Sequence, residues 1–397
     1  MTDSFSGKAG EVGEVRYETA RLADFSVLHG ESRKKNFDKS FFSLVMLLLL
    51  LGVIMVLSAS FPRAYYDPGH ITGGRAGYYF IRQLIFAAAG VGAMLLCSRF
   101  PMGFYKRYAG HFMTLTLALL ALVPFIGVKA NGSRRWLGVG SLTVQPSELA
   151  KLAVILLFAA MISRRRGRMK SFREGILPFA LILVLIVGLL VLEPHFSASI
   201  IILSLGAAML FLGGAPLGWF AAAFGVGGAA LGVLLVFFPY ASGRITTWRD
   251  PFSSSSDEGY QIVQSLYTIG SGGLSGVGLG ASRQKYLYLP EEHNDFIFSV
   301  LCEEMGFLGA ALVLVLFAML ILRGYRIALR CADPFSFLVT AGITTLLALQ
   351  VFLNVAVVTN LLPCTGISLP FFSYGGTALI IQLAEMGIIL SASREIT

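Results

Sequence analysis

Long apolar stretches recur along almost the whole chain, and they exclude most folds. A helix needs roughly 20 predominantly apolar residues to cross a bilayer. Such stretches begin near Phe41, Tyr79, His111, Leu149, Gly175, Ser197, Leu217, Phe296, Phe335 and Gly376. That makes about ten spans, with the one at Leu149 short. Inside hydrocarbon every backbone N–H and C=O must be bonded within the protein. Open strands and free loops are therefore excluded there, and the expected fold is an all-α polytopic membrane bundle. A mean hydropathy of +0.75 and a hydrophobic fraction of 56% lie far above those of a soluble domain.

The net charge of +9 is not read as a nucleic-acid footprint, because its largest blocks flank the spans. With the N-terminus inside, Arg33–Lys39, Arg99–Arg107, Arg164–Arg173 and Arg323–Arg330 fall on the cytoplasmic side, as the positive-inside rule requires. Residues 1–40 are then a disordered cytoplasmic tail, too long and polar for a cleaved signal. Residues 41–394 form the transmembrane domain, and an even number of spans returns the C-terminus to the cytoplasm. Residues 239–295 form a long extracytoplasmic loop between the seventh and eighth spans. Its aromatics suit the headgroup zone, and Ile262–Ile269 has short helical periodicity. The chain is thus expected in the cell membrane, with lipids around it. Cys97, Cys302, Cys331 and Cys364 show no CxxC spacing and read as small apolar residues.

Four polar, Gly- and Pro-rich clusters interrupt the spans, and this topology puts all four on the outer side: Lys129–Lys151, Glu193–Ser197, Arg244–Asp295 and Leu362–Thr377. Asp295 stands where the long loop meets the next span. It either caps that helix or serves as a general base at a membrane-facing mouth. Glu291, Glu292 and His293 crowd the same turn, and helical spacing puts Asp295, Ser299 and Glu303 on one stripe. Glu303 and Glu304 continue the acids into the span, where ionisable groups are costly and face a partner or cavity.

Arg134, Arg135, Glu148 and Lys151 allow two readings. One is an exposed Arg pair beside a local Glu148–Lys151 salt bridge; the other is a grip on phosphate or pyrophosphate oxygens. Glu193 ends a long apolar run before Pro194, which removes a helix hydrogen bond. His195 beside it reads equally as a helix stop at the water interface. Gly270–Gly280 faces the outer side without a preceding buried strand, so it reads as a tight turn with close backbone approach. Leu362–Thr377, with Ser373 and Tyr374, is too polar to span and too apolar to float free. It is expected to fold back between helices.

A transferase outside the cytoplasm needs a donor that arrives activated, and a polyprenyl-pyrophosphate sugar meets that need. One base for the attacking hydroxyl and cations for the diphosphate would suffice, without the two carboxylates of most glycosidases. Mg²⁺ or Mn²⁺ could assist at the diphosphate, although no clear ligand set is visible in the sequence.

The stretches GSRRWLGVGSLTVQPSELAKL, LEPHFSASI, the block running from GYQIVQ through LPEEHNDFIFSVLCEEMGFLG, and NLLPCTGISLPFFSYGGTALI resemble the SEDS family of shape, elongation, division and sporulation proteins. They lie in family order across about residues 40–394, and the QKYLYLPE wording is nearer the FtsW and SpoVE branches than RodA. The resemblance implies a peptidoglycan glycosyltransferase that polymerises lipid II, with undecaprenyl pyrophosphate as leaving group. It carries the essential aspartate onto Asp295 and substrate-binding roles onto Arg134, Arg135, Glu148 and Lys151. Glu193, Glu291, His293 and Ser373 are further substrate-binding candidates. It also implies a class B penicillin-binding protein as partner, along with other division or sporulation proteins. Where many members have a carboxylate and a glycine, this chain has His195 and Ser197. Two rival readings remain: a lipid II flippase or transporter, and a non-enzymatic division scaffold.

Overall fold

The computed structural model describes residues 37–66, 72–130, 133–139, 142–165, 167–193, 195–222, 225, 246–253 and 257–396. The expected tail lies largely outside them. The helices are α1 (Lys39–Tyr66), α2 (Tyr78–Cys97), α3 (Met102–Ile126), α4 (Pro146–Arg164), α5 (Leu177–Leu192), α6 (Phe196–Leu212), α7 (Asp257–Ser271), α8 (Ile297–Arg330), α9 (Pro334–Val358) and α10 (Gly376–Arg394). Among the described residues eight helices are long and apolar enough to cross a membrane, α5 being extended by a π turn at Phe172–Ile176, and α6 is a shorter apolar helix. The span expected from Leu217 is helical over 217–222, and most of the rest lies outside the described residues. The fold is a polytopic helical bundle.

Two features differ from expectation. The third span starts at Met102, not near His111, because Lys106 and Arg107 sit within the helix; their long stems can run along apolar surface while the charge reaches water. The segment before α4 is a three-stranded antiparallel sheet, β1 (Val128–Ala130), β2 (Ser133–Val139) and β3 (Leu142–Val144), in the order β1-β2-β3. Thr377 at the start of α10 donates to the Thr143 carbonyl, 2.8 Å away, and so ties β3 to the last helix.

Local chemistry sets the helix ends. Pro146 opens α4, with Glu148 in its first turn, where a negative charge suits the helix dipole. Asp333 caps α9 by accepting the Ser336 N–H at 3.1 Å. Asp38 accepts the Phe41 N–H at the start of α1 and pairs with Arg323 on α8 at 2.7 Å.

The Gly-rich segment after α7 is a tight turn, as expected, and it splices a break in α8. Gly306 has φ 67 and interrupts that helix. Val277 and Gly278 donate to the Glu303 and Glu304 carbonyls, while Phe307 and Leu308 donate to Gly273 and Leu274. Those bonds replace the helical ones that the break forfeits. The approach is so close that a Cβ on Gly276, itself at φ +80, would lie 2.2 Å from the Glu304 oxygen.

The acids at this break are structural. Glu304 pairs with Lys285 at 2.8 Å and accepts from Ser58. Glu303 accepts from the Ser282 hydroxyl and from the Arg283 N–H. Ser299 bonds to Ser265 at 2.8 Å. The stripe expected through Asp295, Ser299 and Glu303 is therefore divided, with only the Asp295 carboxylate lacking a partner among the described residues. Gly276→Ala is expected to cost about 2 kcal/mol or more, while Gly270→Ala, with open space around it, should be neutral or stabilising by up to about 1 kcal/mol. Thermal unfolding of the two purified variants in one detergent checks the contrast.

Candidate active site

Three of the four polar clusters, and the end of the long loop that is the remaining one, meet around one cavity of about 390 Å³. Its wall takes Arg135 and Trp136 from β2, Glu148 and Lys151 from the first turns of α4, His195 before α6, and Glu291, Asn294 and Asp295 before α8. The returning segment from Gly366 to Thr377 closes it. That segment folds back between helices as expected, with Ile367, Leu369, Phe371 and Phe372 buried. Side chains satisfy its backbone. Asn354 donates to the carbonyls of Ile367 (2.7 Å) and Asp295 (2.8 Å). Gln382 accepts from Phe371 N–H, and Ser373 bridges Leu369 N–H to the Asn294 carbonyl.

The Asp295 side chain does not cap α8, whose N-cap is Phe296, without a side-chain bond. Among the described residues its carboxylate has no hydrogen-bond or ion-pair partner, and it opens on the cavity. Gly366 lies beside it at φ +65; a Cβ there would come within 3.1 Å of Oδ2, so glycine keeps this flank clear. Burial and the neighbouring Glu291 carboxylate push Asp295 up to about 7, against the opposing pull of Arg135.

Lys151 is almost fully buried at 3% exposure, and its Nζ pairs with Glu148 at 2.7 Å. The pair is the local salt bridge that the spacing allows, and it lies in the cavity wall. Glu385, on the neighbouring α10, is buried as well. His195 is buried, and its Nδ1 has no partner. Burial, then Arg135 and Lys151, push it down to about 3, so it faces the cavity as a neutral imidazole. The Ser197 hydroxyl donates to the Thr365 carbonyl and holds the returning segment.

Not every expected residue reaches the cavity. Arg134 turns away, donating to the Pro124 (3.0 Å) and Phe125 (3.3 Å) carbonyls at the end of α3; alternation along β2 sends neighbouring side chains to opposite faces. Glu193 is buried outside the lining, both oxygens unpartnered, and burial raises it to about 8 despite Arg135. His293 packs 4.7 Å from the Tyr79 ring and 5.7 Å from Tyr374. Glu292 accepts two bonds from Arg63, at 2.7 and 2.9 Å. Burial pushes its carboxyl up, but His293 and Arg63 outweigh that and leave it below the usual range.

Glu291 and Ser373 do line the cavity; Glu291 has φ 53 and accepts from the Asn294 amide. Sequence reasoning missed Gln350, Asn354, Gln382 and Glu385. An ionisable residue within the last apolar stretch was the available signal for Glu385. Among the described residues no group of three His, Cys, Asp or Glu side chains converges to hold a metal ion; Arg135 and Lys151 are the Arg and Lys side chains that line this cavity.

The arrangement can deprotonate a hydroxyl beside fixed positive charge, at the edge of an apolar bundle. The chain matches the profile of the FtsW/RodA/SpoVE cell cycle proteins over residues 38–397. It is 38% identical over 365 residues to stage V sporulation protein E of Bacillus subtilis, covering 91% of this chain and 98% of that protein. It is 37% identical over 371 residues to a probable peptidoglycan glycosyltransferase FtsW of Saccharophagus degradans, covering 91% and 94%. Among solved structures it superposes with a TM-score of 0.74 on a chain of a peptidoglycan synthase complex, at 29% identity, covering 91% of this chain and 98% of that one. The RodA rod shape determining protein of Thermus thermophilus gives 0.65, at 29% identity, covering 91% and 97%. The chain belongs to the FtsW/RodA/SpoVE family of cell cycle proteins.

Proposed function

We propose that this chain is a peptidoglycan glycosyltransferase of the cell membrane, polymerising lipid II into glycan strands with Asp295 as general base. The single observation that carries the reading is the free Asp295 carboxylate, opening on a cavity that it shares with Arg135 and Lys151. Asp295 takes the proton of the acceptor sugar's hydroxyl. That oxygen forms a bond to the anomeric carbon of a second lipid-linked disaccharide, whose bond to the pyrophosphate breaks. Undecaprenyl pyrophosphate departs with the electron pair, and the anomeric centre inverts. Arg135 and Lys151 hold the diphosphate and stabilise its growing charge.

The relatives named as peptidoglycan glycosyltransferases support this reading, and the synthase complex supports a partner that crosslinks the strands, here a class B penicillin-binding protein. The cavity lies on the outer face, both termini in the cytoplasm, and residues 1–40 precede the membrane domain as a tail. The flippase reading loses much of its motivation, since Glu303 and Glu304 are taken up by Ser282, Ser58 and Lys285.

Asp295→Asn is expected to lower polymerisation of lipid II by about 10²–10⁴-fold, with folding and partner binding kept. Purified protein with its penicillin-binding partner, assayed for glycan chains, tests this; wild-type chain formation by the variant would remove Asp295 from the mechanism. Arg135→Gln should reduce the rate about a hundredfold or more, whereas Arg134→Gln should stay near wild type because its side chain binds carbonyls outside the cavity. Equal losses would contradict the assignment. A base works only when ionised, so the rate should rise about tenfold per pH unit below about 7 and level off above it. Glu291→Gln removes a charge that raises Asp295, so the acid limb should move to lower pH. Initial rates across pH read both effects, and a shift to higher pH would sink this electrostatic account.

A further inference from the structure

A second cavity, of about 340 Å³, lies between α3 and α4. It is at the opposite end of α4 from the first. From Lys151 in one wall to Arg164 in the other, the helix rises about 20 Å. At its base stand Lys106, Arg107 and Arg164, with His111 one turn on from Arg107.

Some cations near the helix ends have a carboxylate partner: Arg63 has Glu292, Arg323 has Asp38 and Arg168 has Glu174. Among the described residues Lys106, Arg107 and Arg164 have no carboxylate partner. Lys106 and Arg107 have only ring contacts, at 5.7 Å to Phe335 and 5.9 Å to Tyr108. Above the cations the wall becomes apolar, with Leu157, Ala160 and Met161 from α4. Gly110 leaves a gap on α3, since a Cβ there would meet nothing within 4 Å. Along α4 the lining thus passes from cationic at Arg164 to apolar at Leu157 over about 10 Å of helix, while on α3 it runs from Lys106 and Arg107 past Gly110 to the uncharged Thr114.

We infer that this cavity binds an anionic phospholipid of the surrounding leaflet, its phosphate on Lys106, Arg107 and Arg164 and its glycerol and first acyl carbons in the gap at Gly110. Uncompensated cations between spanning helices are the chemistry that anionic headgroups select. A soluble anion would use the cations and gain nothing from the apolar wall. The site is separate from glycosyl transfer and does not rest on it.

Native mass spectrometry of the full chain in detergent provides the test, with phosphatidylglycerol and phosphatidylcholine of matched acyl chains as probes. The wild type should retain phosphatidylglycerol preferentially. The triple variant Lys106→Gln, Arg107→Gln, Arg164→Gln should bind it about fivefold more weakly per charge removed. Arg168→Gln, Lys170→Gln, Arg173→Gln removes equal charge nearby and should leave retention unchanged. Gly110→Leu fills the gap without touching charge and should also lose the lipid, which keeps the test decisive if the triple variant does not fold. Equal retention of both lipids would overturn the proposal, as would an equal loss in the control triple or undiminished retention by Gly110→Leu. Displacement by millimolar inorganic phosphate would mark a soluble-anion site and overturn it as well.

Discussion

The pair between half-buried Arg63 and fully buried Glu292 anchors the turn that carries Asp295. Its two bonds, at 2.7 and 2.9 Å, join α1 to the turn that precedes α8. Removing one partner of such a pair typically costs about 3–5 kcal/mol, because the other charge is left stranded. Its geometry therefore dictates where Glu291, Asn294 and Asp295 stand. The same logic repeats further along α8, where Lys285 and Ser58 hold Glu304. Irregular backbone persists at these helix ends because side chains from other helices satisfy it.

Around this scaffold the cavity keeps its charges unequally compensated. Lys151 has Glu148. Among the described residues the Asp295 carboxylate has no direct partner, and it is held near 7. A carboxylate at that value is ionised for a good part of the time at neutral pH and still accepts a proton readily. A tighter pairing with Arg135 would have lowered its basicity, and complete isolation would have left it protonated.

The sequence made the bundle legible because runs of apolar residues carry their own signal. It misplaced the start of α3 because Lys106 and Arg107 look like a boundary, while their stems allow them to remain in the helix. It missed the sheet at 128–144, although Asn131-Gly132 between alternating residues is a hairpin signal. Crowded ionisable residues gave away Asp295 and its neighbours. Arg134 and Arg135 were indistinguishable until strand alternation separated them. Glu303 looked functional because its partners Ser282 and Arg283 lie some 20 residues away in sequence, and no local pattern reveals such pairing. Gln350, Asn354 and Gln382 were silent because polar amides in apolar helices carry no spacing rule.

The helices that form the cavity floor, α4 and α10, are the least apolar of the candidate spans, and most of each is buried in protein. Lys151 in α4 and Glu385 in α10 add ionisable groups that lipid disfavours. Neither segment is well suited to partition on its own as it leaves the ribosome. Each must be sheltered by helices already in place, α4 by α3 and α10 by α2, whose Met94 carbonyl sits against Gly387. Biogenesis of the cavity floor is thus coupled to tertiary assembly, and lesions in the outer helices should surface as failed insertion of the inner ones.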